Sequence, residues 1–112
     1  MNGQSVELAV VNGERRGDAG VAHGARILAF TEAVMGRDER VLAEQRTALS
    51  EALPPVAFVD VCAVIGAFNV VDRIADATGI PLDEPLMMMS GAVRGELDLA
   101  RFASAANTPG AR

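Results

Sequence analysis

A long apolar segment, residues 56–78, constrains the fold more than any other part of the chain. It follows Pro54-Pro55 and precedes Gly79, and proline in a first turn with glycine after the last turn is typical of a helix. Its β-branched residues would also allow a buried strand, but the run is too long and too rich in alanine for one. As a helix it would be roughly 35 Å long. Because Val56–Val71 is apolar on nearly every side, we expect other helices or another subunit to cover it.

Helical patterns also fill most of the remaining chain. Apolar residues at three- and four-residue spacing predict a helix over residues 22–35, and Asp38 is a suitable N-cap for a second helix that ends before Pro54. Asp83 is suited to cap a further helix after the long one. Residues 5–11 could form a short helix or a strand, and we favour the helix. The sequence therefore predicts an all-α fold, a bundle of four to five helices.

The chain length of 112 residues predicts one folded domain. We expect an N-terminal segment and linker over residues 1–20, a single helical domain over 21–106 and a frayed tail over 107–112. Half of the residues are hydrophobic, but tryptophan and tyrosine are absent, so a core must consist mainly of aliphatic side chains and methionine. The formal charge of −5, with ten scattered arginines as the basic residues, argues against a nucleic-acid partner.

The single cysteine, Cys62, excludes an internal disulfide, so the sequence gives no indication of an oxidising compartment. The first residues also lack the basic and apolar pattern of a secretory signal. The apolar run Val56–Val71 is short for a bilayer span and contains Asp60 and Asn69. We therefore expect a cytoplasmic protein that does not enter a membrane.

Few residues have the chemistry of a catalytic or binding site. Cys62 is predicted to be buried and inert among apolar neighbours. His23, the only histidine, cannot form a metal site alone; it is a candidate general acid or base, or else an exposed loop residue. Met87–Met89 could be apolar filler or an adaptable binding surface. The sequence predicts neither a metal nor a cofactor.

The most distinctive polar cluster lies near the end of the long helix. Asn69 and Arg73 are one turn apart, as are Asp72 and Asp76, so the four share one helix face. One interpretation is a network of hydrogen bonds and ion pairs that fixes helix ends or a subunit contact. The other is a pocket in which the guanidinium of Arg73 binds an anionic group.

The order of several short motifs resembles the carboxymuconolactone decarboxylase and alkylhydroperoxidase D-like family. The motifs are Ala25–Val34, then Phe68-Asn69 with Arg73, Ala75-Asp76, and Gly79–Asp83. The similarity covers residues 22–84 and matches the C-terminal half of that domain. It implies an all-helical protein that assembles as a homo-oligomer. Peroxidase members use a C-x-x-C pair followed by histidine in the preceding half, and this chain lacks the pair, so the resemblance implies no autonomous thiol peroxidase activity.

Three functions follow from these observations. The first is a truncated or degenerate family member that serves as an oligomerisation or interaction module, with a possible partner chain that carries the cysteine half. The second is a decarboxylase-type or antioxidant enzyme with an interfacial site that uses His23 or Arg73. The third is a small-molecule binding protein with a pocket between the long helix and the methionine-rich helix.

Overall fold

The computed structural model describes residues 5–108 and 110, and within these residues the fold is entirely helical. The α-helices are α1 (Leu8–Val11), α2 (Gly24–Met35), α3 (Glu39–Ala52), α4 (Pro55–Thr78), α5 (Glu84–Met89) and α6 (Gly91–Glu96), followed by 3₁₀ turns at Leu99–Arg101 and Ala103–Asn107. The prediction of an all-α protein is confirmed. Contacts divide the chain into two units, with the boundary inside α4 between Ala67 and Phe68.

The first unit is built on a hairpin of α2 and α3. Phe30 and Ala33 of α2 and Leu49 of α3 are buried, and Leu49 is completely so. The Asp38 carboxylate accepts hydrogen bonds from the backbone N–H groups of Arg40 and Val41 at 3.0 and 3.1 Å, as expected for an N-cap. The ring of Phe58 at the start of α4 lies 5.6 Å from that of Phe30, so α4 enters this small core at its first turns.

The segment before α2 is held by local hydrogen bonds. The Glu7 N–H donates to the Ala19 carbonyl at 3.0 Å, and the Asp18 carboxylate accepts from the Ala25 N–H in the first turn of α2 at 2.9 Å. Gly24 is buried, and a Cβ there would lie 2.0 Å from the Asp18 carbonyl oxygen. Only glycine allows this close approach of the two backbone segments.

The second unit contains the end of α4, the two short helices and the 3₁₀ turns. Gly79 ends α4 in the left-handed region with φ 65°, the conformation that favours glycine after a helix. Asp83 caps α5 through the Leu86 N–H at 2.9 Å. The Leu82 N–H donates to the buried Thr108 hydroxyl at 2.8 Å, which ties the C-terminal segment to the loop between α4 and α5.

The prediction for α4 is confirmed, with both ends where Pro55 and Gly79 place them. The fourth predicted helix instead divides at Ser90 into α5 and α6. Glycines 91 and 95 lower the helix propensity on the far side of this break. In the predicted N-terminal segment, α1 covers only Leu8–Val11. Residues 1–4 of that segment lie outside the described residues, as do positions 109, 111 and 112 of the predicted tail.

Candidate interaction surface on helix α4

The most unusual feature of α4 is that none of its residues is buried by the rest of the chain. Its apolar side chains remain largely accessible, with exposed fractions of 74% for Val56, 62% for Val59, 58% for Val70 and 54% for Ile74. The expectation that other helices cover this segment on several sides is therefore not met within the described residues of one chain. A surface of this kind marks an interaction site or a membrane-contacting element.

One row of exposed apolar and small residues runs along one side of the helix. At 100° per residue, one row contains the residues that we call the α4 stripe: Val56, Val59, Ala63, Gly66, Ala67, Val70 and Ile74. Phe58, Val61 and Ile65 lie on the opposite side and are half-buried. Val64, Phe68 and Val71, between these two sides, are also 55–60% exposed. The helix therefore contacts its own chain along a narrow face and leaves most of its circumference uncovered.

Small residues occupy the centre of the α4 stripe. Ala63, Gly66 and Ala67 are exposed, and a Cβ placed on Gly66 would meet no atom within 4 Å. Larger Val and Ile side chains lie on both sides of this centre. The charged residues Asp60 and Arg73 flank the stripe and leave its middle free of charge. A second helix could therefore approach the backbone closely at Gly66, near the short end of the usual 8–10 Å interaxial distance.

The predicted polar cluster is present only in part as a network. Arg73 Nε donates to Asn69 Oδ1 at 2.7 Å, which is the expected bond across one helical turn. Among the described residues, Asp72, Arg73 and Asp76 form no ion pair. Asp76 instead lines a cavity of the second unit. Arg73 does not line that cavity, so the side chains of Asp76 and Arg73 lie in different environments.

The other predicted candidates stand apart from this cluster. His23 is exposed at the N-cap position of α2, with φ 59°, and its side chain makes no capping bond. This position agrees with the alternative that His23 is an exposed loop residue. The distant Asp18 supplies the side-chain cap instead. No group of three or more His, Cys, Asp or Glu residues within the described part of the chain is arranged to hold a metal ion.

One burial prediction is wrong. Cys62 is exposed rather than buried, because the described residues of the chain do not cover the side of α4 on which it lies. An apolar environment in the sequence indicates a side chain suited to burial, but it does not specify which molecule buries it. Of the two alternatives for the methionine run, exposures of 74% for Met88 and 82% for Met89 fit a surface better than core filler.

The cavity of the second unit has a volume of about 690 Å³. Its walls combine apolar and polar side chains, among them Asp76, Ile80, Leu82, Arg94, Asp98, Phe102 and Thr108. Arg94 donates from Nε to the Ser90 hydroxyl at 3.1 Å and from Nη2 to the Met87 carbonyl at 2.9 Å. The guanidinium therefore joins the two short helices on either side of Ser90 while it also lines the cavity.

Sequence reasoning missed Arg94 and Asp98 as cavity residues. The four-residue spacing of Ser90 and Arg94 could have indicated a bond along one helix face. The left-handed conformation of Asp98, with φ 47°, brings the 3₁₀ turns back toward α4 in a way that no local pattern signals.

Comparisons with known proteins give no assignment. No protein-family model, no curated protein and no solved structure matches the chain, so the resemblance to the decarboxylase and alkylhydroperoxidase D-like family stays a prediction. Within the part of the chain that the structure describes, α4 is also the one helix long and apolar enough to cross a membrane by length and composition, with a mean hydropathy of 1.7 over eighteen residues. The function of this surface is therefore inferred from the length, apolar composition and exposure of α4.

Proposed function

We propose that this protein is a self-association module in which the α4 stripes of two or more copies pack against one another. The observation that carries the proposal is a 24-residue apolar helix without a single buried residue. Such a face is stable in water when another protein surface covers it, because burial removes its apolar area from solvent.

The small size of the core supports this proposal. Among the described residues, the buried apolar side chains are Val10, Ala19, Phe30, Ala33 and Leu49. Complete burial of a valine or leucine contributes about 1.5–3 kcal/mol, and two of these five residues are alanines with little side chain to bury. The ordering of each residue opposes folding by about 1–2 kcal/mol. Burial of α4 between copies would supply apolar contacts that this core lacks.

The polar residues of α4 favour a protein partner over a bilayer. A membrane span needs about twenty predominantly apolar residues. Asp60 lies in the second turn of α4, and Asn69, Asp72 and Arg73 lie in its C-terminal half. Within hydrocarbon each of these groups would require a partner, whereas at the edge of a protein interface they keep their contact with water.

Light scattering coupled to size-exclusion chromatography tests the proposal. We expect a molar mass of at least two chains at micromolar concentration and a decrease in mass on dilution. A monomer that remains helical by circular dichroism at high micromolar concentration would refute self-association. Flotation with neutral phosphatidylcholine vesicles supplies the second arm, and recovery of the protein with the vesicles would show that α4 meets lipid instead.

The cavity favours a second candidate function, which is small-molecule binding. Its volume of about 690 Å³ lies within the range of ligand pockets. Ile80 and Phe102 provide apolar walls, while Asp98 and Arg94 provide charges that are not paired with each other among the described residues. This combination suits a small amphipathic molecule that carries charged groups at one end.

A thermal-shift screen of amphipathic amines, carboxylates and amino acids tests this second function. We expect a binding compound to raise the unfolding temperature, with a shift that grows with the logarithm of its concentration above the dissociation constant. The Asp98→Asn substitution removes one cavity charge and suits the left-handed backbone, so it should reduce the shift. Asp60→Asn removes a charge outside the cavity and is the matched control. Equal shifts in both variants would show binding elsewhere.

A further inference from the structure

We infer that Asn12 is a site of spontaneous modification, at which the side-chain amide is lost and aspartate or isoaspartate forms when helix α1 unwinds at its C-terminal end. The inference is independent of the proposed function, because Asn12 lies outside α4 and outside the cavity. The evidence lies in the Asn12-Gly13 dipeptide, in the backbone conformation of these two residues and in the hydrogen bonds that hold them.

The reaction begins with attack of the Gly13 backbone nitrogen on the side-chain carbonyl carbon of Asn12, Cγ. The bond from this nitrogen to Cγ forms and the Cγ–Nδ2 bond breaks, so Nδ2 leaves as ammonia with the proton of the Gly13 N–H. Solvent water then opens the resulting succinimide ring, and the nitrogen regains a proton. Addition of water at Cγ gives aspartate, whereas addition at the main-chain carbonyl carbon gives isoaspartate, whose backbone is one methylene longer. Water is the only co-reactant, and no group is oxidised or reduced.

The glycine at position 13 makes Asn12 more reactive than the other asparagines that the structure describes. Gly13 has no side chain beside the attacking nitrogen, and a Cβ placed on it would meet no atom within 4 Å, so the surrounding space is open. Asn69 and Asn107 are followed by Val70 and Thr108. The branched side chains of these two residues stand next to the nitrogen that would have to attack, and they slow ring closure.

The folded helix end keeps the two reacting groups apart. Asn12 has ψ −2°, so the Gly13 nitrogen eclipses the Asn12 nitrogen and points away from Cβ. The Gly13 N–H also donates to the Val10 carbonyl at 3.2 Å, and Asn12 Nδ2 donates to the Glu14 carboxylate at 2.7 Å. Ring closure requires rotation about the Asn12 Cα–C bond, which breaks the hydrogen bond to Val10. The reaction therefore proceeds from an opened form of this helix end.

The opened form is accessible because α1 is short. The helix covers only Leu8–Val11, and a single helical turn has little stability of its own in water. Its anchors to the rest of the chain are the buried Val10 and the bond from the Glu7 N–H to the Ala19 carbonyl. Both lie before Asn12, so the C-terminal end of α1 can open while the rest of the fold remains intact.

The products do not restore this helix end. The longer backbone of isoaspartate at position 12 displaces the Gly13 N–H from the Val10 carbonyl. It also displaces the Glu14 N–H, which donates to the Ala9 carbonyl at 2.9 Å. Both products replace the Nδ2 donor with a carboxylate beside that of Glu14, and like charges repel. The modification therefore loosens the segment that carries the buried Val10.

Incubation in neutral buffer followed by peptide mapping tests the inference. The full chain, its Asn12→Gln variant and a synthetic peptide of residues 8–17 are incubated together, and tandem mass spectrometry locates each lost amide. Asn12→Gln is the matched control, because glutamine keeps the amide but must close a six-membered ring, which is much slower. The mapping also separates Asn12 from Asn2, which precedes a glycine as well but lies outside the described residues.

Three results are expected. Asn12 should lose its amide at least about tenfold faster than Asn69 and Asn107, and equal rates would overturn the site. Conversion in the folded chain should be roughly three- to thirtyfold slower than in the peptide, and guanidinium chloride should remove the difference; equal rates without denaturant would overturn the control by α1. The unfolding temperature should fall during incubation in the original chain more than in Asn12→Gln, and an equal fall would overturn the structural consequence.

Discussion

The Val70→Asp substitution gives the most direct test of the role of α4. Val70 is 58% exposed in the isolated chain, and complete burial of a valine contributes about 1.5–3 kcal/mol. Burial of the exposed part in an assembly should therefore contribute about 1–1.5 kcal/mol per copy. In a symmetric pair the loss occurs twice, at about 2–3 kcal/mol.

The aspartate adds a second cost. A carboxylate on the covered face must lose water. The nearest cation is Arg73, one turn away at the edge of the stripe, where its guanidinium already donates to Asn69. The combined loss should exceed about 4 kcal/mol, which corresponds to a roughly thousandfold increase in the dissociation constant. The folded monomer should lose little stability, because the side chain stays in water there.

Sedimentation equilibrium over a dilution series measures this constant, and circular dichroism measures the helix content of the same samples. Val11→Asp is the matched control, because Val11 is 52% exposed and lies outside α4. We expect Val11→Asp to leave the dissociation constant within threefold of the original. A similarly small change for Val70→Asp would refute the assignment of the interface to α4.

Three further substitutions test the local structure by thermal or denaturant unfolding. Gly24→Ala should lower the free energy of unfolding by at least about 2 kcal/mol, because its Cβ would lie 2.0 Å from the Asp18 carbonyl oxygen; an unchanged midpoint would contradict this close approach. Asp38→Ala should cost about 1 kcal/mol through loss of the α3 cap, whereas Asp38→Asn should restore most of it. Thr108→Val should cost about 1–3 kcal/mol because it leaves the Leu82 N–H without its acceptor, and hydrogen exchange at Leu82 should accelerate.

The sequence predicts α4 well because local rules determine its ends. Pro55 fits the first turn and Gly79 provides the left-handed residue after the last turn. The capping of α3 by Asp38 and of α5 by Asp83 follows from equally local chemistry. These features need no knowledge of the tertiary structure, which is why they could be predicted.

The remaining features depend on contacts between distant residues. The bond from the Leu82 N–H to Thr108 spans 26 positions, and the cavity exists because the 3₁₀ turns return to the end of α4. Cys62 is exposed because none of the described residues packs over its side of α4. Periodicity indicates which face of a helix is apolar, but it does not show whether that face is covered by the same chain or by another.

The hairpin of α2 and α3 has a consequence for the time course of biosynthesis. Only residues 36–38 connect the two helices, so their contacts are close in sequence and can form quickly, even before the chain leaves the ribosome. Helix α4 emerges next and finds little of its own chain to cover it. Under the proposed self-association, the lifetime of this exposed state depends on the local concentration of other copies. Slow synthesis from a scarce message would prolong it and favour aggregation, whereas neighbouring ribosomes on one message would shorten it.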